Sequence, residues 1–291
     1  MRRSLLIAGG LAALALLGAW ALGGAEALAG WAAAGQRRFQ EAMAGALIRL
    51  RAGEPGAWGV LMGLAFAYGF FHAVGPGHGK VLIGGYGAAR PVGLGRLSAI
   101  ALAASLAQGA SAVALVYAGV LALGWTRQRM TGLAEGVLTQ ASYAAIGLIG
   151  LWLVWRGMRH LAAAGHSVDV LQAACCGHDH APSPETLARA GGPREAALLV
   201  AGVALRPCTG ALFLLVMTWQ LGIAEAGIAG TFAMALGTAS VTLAVAALAV
   251  TGREGALAGL AGRRAARLAL PVLELSAGGV VVLAAATLLL R

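Results

Sequence analysis

The sequence predicts an all-α protein that crosses a lipid bilayer several times. Hydrophobic residues make up 59% of its 291 residues and charged residues only 11%, whereas soluble domains carry about 25% charged residues. Several apolar stretches reach the roughly 20 residues that one transmembrane helix needs. The 45 glycines fit the same class, because small residues let membrane helices approach closely. The composition therefore indicates a polytopic membrane protein.

The formal charge of +10 does not indicate a nucleic-acid partner. The basic residues are scattered and mostly flank apolar segments, as they do in membrane proteins, and they form no dense patch. Basic residues are more numerous on one side of the predicted spans, and this favours a cytoplasmic N-terminus and a cytoplasmic segment 158–194. We expect the membrane to be the inner (plasma) membrane. The lipid bilayer is the expected partner. A homo-oligomer or a partner subunit stays open.

Residues 1–24 are predicted to form an N-terminal hydrophobic helix. Arg2 and Arg3 precede an apolar run, which is either a retained anchor or a cleaved signal peptide. The run is longer than the usual apolar part of a signal peptide, about 7–15 residues, and this favours the anchor. Residues 25–56 mix arginines with glutamates, and we interpret them as an extracytoplasmic amphipathic linker.

Six apolar blocks predict a six-span core in two halves, 57–157 and 195–291. Proline lacks a backbone N–H and clashes with the preceding helical turn, so we expect broken helices at Gly75-Pro76-Gly77 in the first block and at Pro207 in the fourth. The blocks are 57–89, 94–124, 137–157, 195–221, 223–250 and 268–290.

The two halves resemble each other weakly when Pro76 is aligned with Pro207. Three spans in each half would give the halves opposite orientations, so we predict a 3+3 inverted repeat. Inverted repeats with broken helices at matching positions are typical of transporters. Chance similarity between two helices rich in alanine and glycine is the alternative.

His72 and His78 flank the first predicted break. On an unbroken helix they would point about 120° apart, whereas a break can turn both imidazoles toward one point. Imidazole suits nickel, cobalt and zinc better than magnesium or calcium. We therefore predict a metal site here; a hydrogen bond to a neighbouring helix is the alternative.

The second predicted break adds further candidate metal ligands. Cys208 offers a sulfur and Thr209 a hydroxyl, although buried cysteines are often inert. Gln108 is a candidate for the same pathway or a packing residue between helices. Arg206 and Glu274 are charges inside predicted spans, where charges are costly, and we expect them to form a gating or charge pair. The alternative is that the Arg206 side chain snorkels to the cytoplasmic surface.

The polar segment 158–194 contains a cluster of side chains that suit borderline metals. Their close spacing predicts a metal-capture loop, while an ordinary solvated loop is the alternative. The spacing matches no structural zinc motif. The residues are Cys175, Cys176, His178, Asp179 and His180.

Three features together resemble the NicO family of nickel/cobalt transporters. They are the stretch GFFHAVGPGHGK at 69–80, the stretch LRPCTGAL at 205–212, and the histidine-containing segment between the halves. The resemblance implies a six-span permease rather than an enzyme, with His72 and His78 handling metal opposite the Pro207-Cys208 break. It implies a role in the export or supply of nickel or cobalt. We expect export from the cytoplasm, and no permanently bound cofactor besides the transported Ni²⁺ or Co²⁺.

Other functions remain open at this point. An uptake permease would use the same residues. A membrane thiol–disulfide electron carrier would need a second intramembrane cysteine opposite Cys208, where the first half has His78. A metal sensor would depend on the capture loop alone. The sequence contains no Walker-type phosphate loop, so we expect no nucleotide hydrolysis by the chain itself.

Overall fold

The computed structural model describes residues 23–75, 78–170, 192–259 and 263–290, and within these ranges every regular element is a helix. A short π-helical turn, Ala118–Ala122, extends the fourth helix. The helices are α1 (Gly24–Arg51), α2 (Ala57–Val74), α3 (His78–Ala89), α4 (Leu94–Tyr117), α5 (Arg127–Glu135), α6 (Val137–Val170), α7 (Pro193–Ala204), α8 (Thr209–Gln220), α9 (Ala224–Gly259) and α10 (Arg263–Leu289).

Five segments are long and apolar enough to cross a bilayer. They are Ala57–Val74, Leu94–Ala122, Gln128–Ala162, Ala224–Gly255 and Pro271–Leu289. The helices α7 and α8 meet at a bend of 63° and become a sixth candidate if the bent pair is one span. Each candidate overlaps one predicted apolar block, so the all-helical, polytopic class is confirmed. The predicted helix within residues 1–24 falls almost entirely outside the described residues.

The segment predicted as a linker, 25–56, is mostly the helix α1. One face of α1 is buried and packs against α2. Its buried positions recur at helical spacing, at Ala32, Met43, Ala46 and Leu47. The turn into α2 uses Gly53 and Gly56, whose φ angles are 75° and 80°, a region that residues with a Cβ rarely adopt. The amphipathic pattern thus reflects a packed helix.

The predicted polar loop also begins differently from the expectation. α6 continues to Val170, so residues 158–170 are helical. Alanine and leucine dominate this extension at 161–164, and both are strong helix formers that continue a helix at little cost. Residues 171–191 lie outside the described part of the chain.

The helices form two compact units, and both units take residues from both predicted halves of the chain. The described part of the first unit comprises residues 23–75, 101–142 and 200–244. In this unit α2 and α9 approach until their backbones touch. A Cβ on Gly69 would lie 2.0 Å from the Met234 carbonyl oxygen, and one on Gly237 would lie 2.0 Å from that of Phe66.

The described part of the second unit comprises residues 78–100, 143–170, 192–199, 245–259 and 263–290. Here α3 packs against α10. α6 and α10 meet through small residues, because a Cβ on Gly278 would lie 2.9 Å from Val154, and one on Gly157 would lie 2.9 Å from Leu275. Glycine contacts of this kind are typical of packed membrane helices.

Candidate metal site in the first unit

The first component of the candidate site lies at the C-terminal end of α2. The helix ends at Gly75, whose ψ of 164° departs from helical geometry, one residue before Pro76. The Gly75 N–H still donates to the Phe71 carbonyl at 3.2 Å. His72 lies in the last turn of α2 and is half-buried. The chain therefore presents an imidazole close to the end of a membrane helix.

The second component lies at the break between α7 and α8. Proline has no N–H to donate and fixes its φ angle, and Pro207 occupies the interval where the chain bends. Cys208 follows in an extended conformation with φ −69° and ψ 128°, and its carbonyl accepts the N–H of Leu212 at 3.1 Å. Cys208 is thus the residue from which α8 begins. Its thiol is free and half-buried.

The side chains of these two components meet. The Cys208 thiol lies in hydrogen-bonding contact with the His72 imidazole and with the Tyr68 hydroxyl. The rings of Tyr68 and His72 stack with 9° between their planes and 6.1 Å between their centroids, because residues four apart share one helix face. A nitrogen, a sulfur and a phenolic oxygen therefore converge in the first unit.

Several contacts fix the Tyr68 side chain, which is buried. Its hydroxyl accepts a hydrogen bond from Gln36 Nε2 at 3.0 Å and contacts the Thr209 hydroxyl. A Cβ on Gly210 would lie 2.3 Å from the Tyr68 ring, so a glycine at this position provides the space for the ring. The predicted residue Thr209 thus touches the site through Tyr68.

Gln108 supports the second break through the backbone. Its Nε2 donates to the Arg206 carbonyl at 2.8 Å, and the side chain is buried. A bent helix pair leaves carbonyls without their usual N–H partners, and Gln108 supplies one such partner. In the structure the amide nitrogen of Gln108 is therefore used for packing and for stabilising the bend.

Glu274 belongs to the second unit and has two basic partners on α6. The Glu274 carboxylate contacts Arg156 Nε at 3.7 Å and His160 Nδ1 at 3.0 Å. Two basic side chains of α6 thus engage both carboxylate oxygens. Arg156 and His160 are therefore charge partners of Glu274, and the pairing of Glu274 with Arg206 stays a prediction.

Two predicted groups cannot be placed against this site. Residues 76–77 and the side chain of His78 lie outside the described part of the chain, and so does the capture loop with Cys175, Cys176, His178, Asp179 and His180. Among the described residues, no three His, Cys, Asp or Glu side chains cluster as a metal site. His72 and Cys208 are therefore the site's strongest described donors.

Sequence reasoning did not assign a functional position to Gln36 or Tyr68. Tyr68 precedes His72 by four positions and so shares its helix face, which was the available signal for this residue. Gln36 lies in the segment that was interpreted as a linker. Its spacing from the buried Ala32 and Met43 places it on the packed face of α1, and this spacing was the available signal.

A comparison with known families matches residues 58–173 to the NicO model, described as "High-affinity nickel-transport protein". This part of the chain is thus similar to the NicO family. The match confirms the resemblance that the sequence motifs indicated. The matched region covers most of α2 and all of α3 to α6, including His72 and Gln108.

A curated relative extends the similarity beyond the NicO region. A Haemophilus influenzae protein named "Putative nickel/cobalt efflux system" is 27% identical over 242 residues, which cover 76% of this chain and 75% of the relative. No solved structure matches the chain significantly. The similarity of sequence therefore spans most of the chain.

Proposed function

We propose that this protein transports nickel or cobalt ions across the inner membrane, in the direction of export from the cytoplasm. The observation that carries the proposal is the contact between the Cys208 thiol and the His72 imidazole at two helix ends of the first unit. The NicO family match supports the nickel substrate, and the name of the Haemophilus influenzae relative supports both the substrate and the direction.

The donor atoms suit the proposed cargo. Imidazole nitrogen and thiolate sulfur favour borderline and soft metal ions, whereas magnesium and calcium prefer oxygen ligands. The thiolate is the form of cysteine that binds metal, and the neighbouring His72 ring is placed to accept the thiol proton. The site therefore selects nickel and cobalt against the far more abundant magnesium.

The small number of strong donors suits transport. A structural zinc site holds its ion with four protein ligands and releases it poorly. A transport site has to bind an ion firmly enough to admit it and weakly enough to release it. His72 and Cys208 leave coordination positions for water, for a carbonyl at the helix break, or for His78, which we propose as a third ligand.

The proposed architecture is a 3+3 inverted repeat with the helix breaks of α2–α3 and α7–α8 at matching positions. Such repeats place their substrate site near the middle of the membrane. We further propose that the capture loop lies in the cytoplasm, with the N-terminus on the same side. Its ligands Cys175, Cys176, His178, Asp179 and His180 would then collect ions on the side from which they leave.

Nickel uptake is the second candidate function, because the matched family description names nickel transport without a direction. A thiol–disulfide carrier is disfavoured by the sequence. Cys208 is the one cysteine inside an apolar block, since Cys175 and Cys176 lie in the polar segment. In our proposal the chain is a carrier for metal ions rather than an enzyme.

Metal flux in inside-out membrane vesicles tests the proposal. Vesicles with the wild-type chain should accumulate nickel or cobalt but not magnesium, and vesicles without the chain should accumulate none. His72→Ala and Cys208→Ser should each lower the rate of metal accumulation by about tenfold or more. Even the loss of a residue that only hydrogen-bonds to a metal ligand lowers metal affinity or activity by about 10–100-fold. Accumulation only in right-side-out vesicles would favour uptake, and no flux of any tested metal would refute transport.

A further inference from the structure

A buried carboxylate in the second unit has no place in the metal site described above. Glu274, on α10, exposes only 3% of its side chain. Its two oxygens contact Arg156 and His160, which lie four residues apart on one face of α6. An ionisable group inside a membrane domain is costly and marks a functional position by default.

The charges around Glu274 come from several elements of the second unit. Arg90, buried after the end of α3, lies close enough to act on Glu274 electrostatically. Arg90 Nη2 also donates to both carboxylate oxygens of Glu195 on α7, at 3.1 and 3.0 Å. The Tyr86 hydroxyl donates to Glu195 at 2.8 Å.

Two further groups complete these surroundings. The Trp152 ring lies between the arginines, 5.5 Å from Arg90 and 5.6 Å from Arg156. On α9, Arg253 contacts the Glu254 carboxylate at 3.5 Å and donates to the carbonyls of Gly87, Arg90 and Val92.

This group of side chains is balanced in charge when both carboxylates are ionised and His160 is neutral. Arg90 and Arg156 then carry two positive charges, and Glu195 and Glu274 carry two negative charges. Arginine stays protonated at any physiological pH, whereas histidine is the side chain that changes charge near neutrality. The group can therefore gain and lose one proton, and the contact between His160 and Glu274 is where it can be held.

The two partners differ in their access to the surroundings. The His160 side chain is 46% exposed, whereas Glu274 is 3% exposed. His160 lies near the end of the apolar segment Gln128–Ala162, next to Arg159, whose guanidinium stacks on Trp155. Arginine and tryptophan are enriched where membrane helices leave the bilayer. His160 can thus exchange protons with water and pass them to the buried carboxylate.

We propose that Glu274 and His160 form the proton-binding site through which an inward proton gradient drives metal export. The inference rests on the proposed transport function and adds its energy source. A proton from the outer side binds to the pair and leaves into the cytoplasm through His160, while a metal dication moves the opposite way. No bond other than that of the proton is made or broken.

The test uses the full chain purified into liposomes, with two measurements on each sample. One is nickel accumulation driven by an acidic lumen, because an antiporter moves metal toward the acidic side. The other is nickel–nickel exchange at equal pH, which needs no proton movement. Glu274→Gln and His160→Gln should lower driven accumulation by about tenfold, within the usual range of coupling between sites, and should preserve exchange.

Glu254→Gln is the matched control, because it makes the same change at a carboxylate of α9 that is 63% exposed. It should leave both measurements at the wild-type level. If Glu274→Gln also abolishes nickel–nickel exchange, the result for His160→Gln decides whether the proton site exists. The His160 ring is half exposed, and its removal leaves Glu274 paired with Arg156. The same accumulation in wild type and in His160→Gln would overturn the proton site.

The outcomes separate this inference from the proposed function. If the wild-type chain exchanges nickel but does not respond to the pH gradient, the transport proposal stands and the proton site is refuted. If the wild-type chain exchanges no metal, both proposals are refuted. A wild-type chain that responds to the gradient, with variants that do not, supports both.

Discussion

At the scale of single residues, Tyr68 links the two components of the metal site. Its hydroxyl contacts Cys208 from one side and accepts the hydrogen bond of Gln36 from the other. A buried phenol that is hydrogen-bonded on two sides holds its neighbours in one arrangement. Tyr68 therefore controls where the sulfur lies relative to the His72 ring, whether or not its oxygen binds the ion.

Removing this hydroxyl tests that role. Tyr68→Phe should keep the stacked ring but lose the contacts with Gln36 and Cys208, at a cost of about 1 kcal/mol in stability. We expect a lower rate of nickel transport with the protein still folded, measured as vesicle flux beside the thermal midpoint in detergent. Tyr117→Phe is the control, because its hydroxyl makes one weak bond to Ala224 at 3.4 Å. Equal effects of the two variants would contradict the assignment.

The residues of the site differ in how far the sequence could predict them. His72 lies four residues before Pro76, and Cys208 directly follows Pro207. Polar residues at such positions in apolar segments are rare enough to indicate function. Gln36 and Tyr68 carry no such signal, because their importance depends on the packing of α1 against α2. Contacts between distant segments follow from tertiary structure, which one sequence does not reveal.

At the scale of helices, the close approach of α2 and α9 determines where His72 lies. The Thr238 hydroxyl donates to the Gly69 carbonyl at 3.2 Å. The two backbones lie so close together at Gly69 and Gly237 that a side chain at either position would not fit. Backbone contact between membrane helices needs small residues. The position of the last turn of α2, which carries the imidazole, therefore depends on this interface.

Two alanine substitutions on α2 should have opposite effects on stability. Gly69→Ala would place a Cβ 2.0 Å from the Met234 oxygen, so the helices must separate, at a cost of about 1–3 kcal/mol. Gly63→Ala meets nothing within 4 Å and should stabilise the helix by about 0.5–1 kcal/mol. Thermal unfolding in detergent measures both. A stable Gly69→Ala variant with normal flux would contradict the proposed importance of the interface.

The helices show which sequence signals were sufficient and which were not. Long apolar blocks predicted the spans, because a bilayer requires helices of that length. The linker interpretation of 25–56 was incomplete, since charges such as Arg37 and Glu41 lie on the outer face of a helix whose other face is buried. α6 continues to Val170, beyond the predicted end of the span at residue 157. Polar residues follow residue 157 and favour an early end, whereas their helix propensity allows the helix to continue.

At the scale of the whole molecule, both compact units take residues from both halves of the sequence. The candidate metal site belongs to the first unit and the Glu274–His160 pair to the second. Under our two proposals, each unit therefore has one chemical role. The 3+3 repeat would account for units composed in this way, and it remains a prediction, as does the orientation of the chain in the membrane.

The orientation can be tested by labelling cysteines from either side of the membrane. The bias of basic residues predicts that 158–194 lies in the cytoplasm. In a Cys208→Ser background, Cys175 and Cys176 should react with a membrane-impermeant maleimide in inside-out vesicles and not in intact spheroplasts. A chain whose one cysteine comes from Gln128→Cys, an exposed position at the start of α5, should react in the opposite pattern. Because α6 joins these two reporters through one span, labelling both from the same side would contradict a membrane crossing at α6. If each reporter reacts from the side predicted for the other, the capture loop lies on the outer side of the membrane. There it could serve uptake but not export.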